Sequence, residues 1–102
     1  MTTMPPIDHR LKAHDHVQSL ITLLNAQPTA AAYGPLVEEC QALARAIMAF
    51  HMEGIRFRMF NVERRLVRSD LTVPPEASGL FDEARHELEA AGFHTRSHQA
   101  PT

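Results

Sequence analysis

Apolar residues recur at steps of three and four along most of the chain, with polar residues between them. The pattern predicts three helical stretches. The first runs from about Pro6 to Asn25, between Pro5–Pro6 and Gln27–Pro28. Ile7, Ala13, Val17, Leu20, Ile21 and Leu24 share its apolar face. Asp8, Lys12, Asp15 and Ser19 lie largely outside that face. The connection that follows, 27–34, holds Pro28, Thr29 and Gly34 around an alanine-rich middle.

The second stretch is long, from about Pro35 to Arg68. Leu36, Cys40, Leu43, Ala44, Ile47, His51, Ile55, Met59, Val62 and Leu66 form one stripe. Ala46, Phe50, Phe57, Phe60 and Val67 form a second, weaker one. A helix with two apolar stripes needs cover on two sides. Ile55–Met59 also alternates in the manner of a strand, but the three-four spacing continues to Leu66 and favours helix. Gly54 costs about 1 kcal/mol against alanine in mid-helix and marks a kink or a close helix crossing.

The third stretch follows Val73–Pro74–Pro75 and places Ala77, Leu80, Phe81, Ala84, Leu88 and Ala91 on one face. Gly92 is a stop signal, and Phe93 beyond it supplies the accompanying apolar contact. Residues 94–102 lack periodicity and read as a disordered polar tail. The expectation is one all-α domain over 1–93: a helical hairpin with one long central helix plus a third, C-terminal helix. The long helix would span ~50 Å, the others ~30 and ~24 Å. Two short helices cannot cover both stripes of the long one, so completion as a homodimeric bundle is expected.

Charge sharpens this picture. Arg56, Arg58, Arg64, Arg65 and Arg68 fall together against Glu63. Glu76, Asp82, Glu83, Glu87 and Glu89 fall together against Arg85. The two segments carry about +4 and −4, so the arms of the hairpin are expected to attract. The net charge of −2 argues against nucleic acid as a partner. The single cysteine, Cys40, excludes a disulfide framework and fits a reducing compartment. No apolar run reaches bilayer length and no apolar leader is visible, so a cytoplasmic location without a membrane partner is expected.

Seven histidines raise the question of metal. His14 and His16 point about 160° apart on a helix, so together they chelate only in extended structure. His14 and His51 both touch apolar stripes of helices that should pack together. With His16 they are the candidate ligands of a divalent transition metal. The competing reading makes His51 a packed core histidine, and no cofactor is expected on that reading. Glu83 and His86 have the Glu-x-x-His spacing but share the polar face of the third stretch. Cys40 sits on the apolar stripe and reads as a small core residue. No nucleophile elbow or phosphate-binding glycine pattern occurs. The arginine cluster is interleaved with Phe57 and Phe60, and its bland reading is a solvated edge neutralised by the acidic third stretch.

These features favour a non-catalytic interaction or regulatory module over an enzyme. It would act through homodimerisation or by binding a helix of another protein. The expected contact residues are Phe50, Phe57, Phe60, Arg58, Arg65 and Val67. The alternative is a metal- or small-ligand-binding bundle of sensor or carrier type built on His14 and His51.

Overall fold

A computed structural model describes residues 8–67 and 72–93. Among them the chain is helical and contains no strand. The helices are α1 (His9–Asn25), α2 (Gly34–Met48), α3 (Met52–Leu66) and α4 (Pro75–Ala90), with a 3-10 turn at Ala30–Tyr33 before α2. The all-α expectation holds, and the strand reading of 55–59 does not. The expected start at Pro6 and the tail from 94 onward lie outside the described residues.

Asp8 begins α1, its carboxylate accepting from the Leu11 N–H at 3.1 Å. Pro35 opens α2, and Pro74–Pro75 opens α4. Gly92 ends α4 with φ +96°. The Phe93 N–H returns to the Leu88 carbonyl and the Gly92 N–H to that of Glu89. This is a Schellman motif, and Phe93 is buried as expected.

The long central helix is corrected to two. α2 stops at Met48 and α3 starts at Met52. The break is a second Schellman motif: the His51 N–H bonds the Ala46 carbonyl, and the Phe50 N–H bonds that of Ile47. Phe50 occupies the left-handed position at φ 59°, where glycine is usual. The left-handed backbone costs a residue with a side chain roughly 1–2 kcal/mol. Contacts from two other helices offset that cost. The Arg10 guanidinium lies over the Phe50 ring at 4.2 Å, and Phe93 packs beside it at 5.9 Å. Arg10 Nη1 also donates to the Ile47 and Met48 carbonyls at 3.3 and 3.2 Å, serving the open end of α2.

His51 is therefore not a core residue. It is exposed and caps α3, its Nδ1 accepting from the Gly54 N–H at 2.8 Å. Gly54 is not a kink or a helix crossing but the clearance for this cap. A Cβ there would lie 2.7 Å from His51 Nδ1.

The chain turns back at each connection. Arg10 meets the end of α2, His9 of α1 meets Glu87 of α4, and the Tyr33 hydroxyl donates to the Thr72 carbonyl beside α4's start. The helices thus run up, down, up, down. α1 packs against both α2 and α4, and α2 against α3. α3 and α4 touch only slightly, and α1 does not pack on α3. The core runs through all four helices and includes Leu20, Leu43, Ile47, Ile55, Met59 and Leu88, each fully buried.

Ile55→Ala should destabilise the fold by ~2–5 kcal/mol, read from denaturant melts. Gly54→Ala should lower stability, the reverse of the ~1 kcal/mol gain expected in an unencumbered helix. In a His51→Ala background the same substitution should become stabilising. A loss of equal size in both backgrounds would refute the cap-clearance account.

Candidate functional site

α3 carries apolar residues on two faces. Ile55, Met59, Val62 and Leu66 point inward and are buried. Phe57, Phe60, Arg64 and Val67 lie on the opposite side at 100° per residue. Phe57 is 55 % and Val67 74 % exposed, while Phe60 is half-buried. Arginines flank this outer stripe. Arg58 lies 5.1 Å over Phe57 and pairs with Glu39 of α2 at 3.1 Å, and Arg64 lies 5.5 Å over Phe60. Asn61 donates to the same Glu39 oxygen at 3.3 Å. Arg65 is half-buried on the flank.

Where α3 and α4 approach each other, a half-open cavity of about 210 Å³ remains. Glu63, Leu66 and Val67 line one wall, and Ser78, Phe81 and Asp82 the other. Arg85 is buried beside it, with Nη2 3.1 Å from Glu63, Nη1 3.6 Å from Asp82 and its guanidinium over Phe81 at 4.9 Å. Its Nε and Nη2 lack a well-directed hydrogen bond. This bridge between the helices has the opposite polarity to the sequence expectation, with the acid on α3 and the base on α4. The α4 acids Glu87 and Glu83 instead meet His9 and His16 of α1, at 2.5 and 3.6 Å.

The candidate metal ligands engage three different neighbours. His14 Nε2 lies 3.4 Å from the Gln18 amide, His16 contacts Glu83, and His51 caps α3. Among the described residues no three His, Cys, Asp or Glu side chains converge as a metal site. Cys40 is fully buried, and its thiol is pushed up to about 12, chiefly by desolvation and then by the Glu39 charge. A thiol held protonated in this way is a poor nucleophile. No helix among the described residues is long and apolar enough to cross a membrane.

Of the expected contact residues, Phe57, Phe60, Arg58, Arg65 and Val67 fall on or beside the outer side of α3. Phe50 does not. It sits in the bend, 64 % exposed, next to the exposed Met48 and Met52. Sequence reasoning missed this bend cluster and Arg10's part in it. One signal was present: His51 is a polar residue in the middle of an otherwise apolar stripe. The cavity left no sequence signal, because it depends on how closely α3 meets α4.

Compared with family models, curated proteins and solved structures, the chain gives no match.

Glu87 supplies a pH test of the α1–α4 contact. Its carboxyl is held below the ordinary value of 4.5, chiefly by the hydrogen bond from His9, with burial opposing and Lys12 assisting. A lowered folded pKa adds stability above the unfolded value, and that stability is lost as pH falls through the folded one. Glu87→Gln should therefore lower the melting temperature at neutral pH. The difference should shrink as pH falls below the ordinary carboxyl value of 4.5 and close once the folded carboxyl is protonated. A pH-independent difference would place the effect in packing.

Proposed function

We propose that this protein is a non-catalytic helical interaction module, and that it works by offering the outer face of α3 to another helix, in the first place that of a second copy. The observation that carries the reading is the second apolar stripe. Phe57 and Val67 lie away from the core stripe and are exposed, with the half-buried Phe60 between them. An amphipathic surface helix normally keeps one apolar face, and that face is already buried here. Aromatic side chains flanked by arginine are the composition that dominates protein interfaces. Exposed Met48, Phe50 and Met52 add apolar surface at the bend.

Phe57→Asp/Val67→Asp tests this directly, since both side chains are exposed. Light scattering at micromolar concentration should give a dimer for the wild type and a dissociation constant at least tenfold weaker for the variant. Melting temperatures should agree within about 4 °C, as for other surface changes. A wild-type monomer, or unchanged association in the variant, would defeat the reading.

A further inference from the structure

We infer that the occupant of the α3 face is α4 of a second copy, in a two-fold dimer where α3 of each chain packs antiparallel on α4 of the other. This rests on the reading above that the α3 face is an interaction surface. Three features point to this occupant.

Charge is the first. α3 carries Arg64 and Arg65 on and beside its outer face, whereas the exposed side of α4 carries Glu76, Asp82 and Glu83. The chain therefore bears both halves of a complementary pair. Among the described residues, the ion pairs within the protomer are long or absent at these groups: Glu83 contacts His16 and Asp82 contacts Arg85, each at 3.6 Å, and Arg64 lies over a phenyl ring.

Relief is the second. Large residues stand out from α3, and the outer side of α4 has gaps at the exposed Gly79 and Ala90, on either side of His86. A Cβ built on Gly79 meets nothing within 4 Å. Its own protomer thus gives no packing reason for a glycine that weakens the helix by about 1 kcal/mol against alanine.

Register is the third. Within one chain Glu63 is level with Arg85, and Leu66 and Val67 with Ser78, Phe81 and Asp82. A two-fold axis parallel to the helices preserves these levels between copies. Antiparallel helices of equal rise then put Val67 near Gly79 of the second copy, Arg64 and Arg65 near its Glu83, and Phe57 near its Ala90. The slight contact between α3 and α4 of one chain leaves both open on the side the second copy would approach. Each helix is about 22–24 Å long, with a face about 10 Å across. Pairing both in both copies buries on the order of 1,000 Å², the lower end for a specific interface.

Charge reversal in two chains tests the pairing. Arg64→Glu/Arg65→Glu and Glu83→Arg should each weaken self-association at least tenfold, because each sets like charges face to face. Mixed in equal amounts, they should recover dimer mass by light scattering, since both contacts of the mixed dimer are complementary. Gly79→Phe should keep or raise the melting temperature while preventing dimerisation. Circular dichroism melts establish that each chain is folded, and Gly79→Phe decides the matter should a reversal variant unfold. A mixture of folded chains that stays monomeric, or a Gly79→Phe chain that dimerises like the wild type, overturns the pairing. If those results accompany a wild-type dimer weakened by Phe57→Asp/Val67→Asp, the α3 face remains the interface and its occupant is not α4. A wild-type monomer overturns both.

Discussion

The turn at residues 49–51 is the constraint on which the rest of the molecule depends. Without it, α2 and α3 would continue as one rod, and the core stripes on either side could not fold onto each other. The turn is built from an unfavourable choice, a phenylalanine in the left-handed region. It persists because contacts from three sides determine it. Arg10 serves the last carbonyls of α2 and lies over the Phe50 ring, Phe93 packs beside that ring, and His51 caps the next helix. Of these, Arg10 and Phe93 belong to or adjoin α1 and α4, so elements distant in sequence converge on the turn. Local and tertiary structure are coupled at this one point.

A consequence follows for the surface. With α1 packed between α2 and α4, α3 is held mainly by α2. The inward stripe of α3 is nonetheless fully used, from Ile55 to Leu66. What remains is the outward stripe and the shallow meeting with α4, bridged by the buried Arg85 and its partner Glu63. Such a bridge fixes geometry more than it stabilises, because desolvating the guanidinium offsets much of the attraction. It holds α3 at a set distance from α4 and leaves the cavity beside it.

The sequence was legible where one principle governed. Helix faces came from period, and most of the buried set from Ala13 to Leu88 agrees with the expected stripes; Tyr33, Val37 and Arg85 are buried outside them, and Ala91, expected on the apolar face, is exposed. Gly92 and Phe93 were readable because glycine at a helix end has one common use. The same motif at Phe50 was unreadable, since its residue contradicts local preference and is held by groups distant in sequence. Gly54 was correctly picked out as unusual and wrongly explained: the chain breaks three residues earlier, and the glycine makes room for an imidazole. The expectation for His51 failed for the same reason, because a continuous stripe placed a capping residue in the core. The second stripe of α3 could be read from spacing alone, whereas the seam with α4 required the tertiary arrangement.

The opposite charges of α3 and α4 invite an explanation within the chain, and the fold argues against one. Exposed pairs are each worth only ~0–1 kcal/mol, too little to draw two helices together against the packing demands of α1 and α2. The core therefore decides where α3 and α4 lie, and their acids and arginines find other neighbours: Glu39 for Arg58, His9 for Glu87, His16 for Glu83. Charge that does little for the protomer can still select a partner. At an interface, complementary potentials set register and exclude mismatched surfaces more than they add affinity. The proposed dimer has that division of labour: Phe57, Phe60 and Val67 would provide the area, and the charges would choose what covers it.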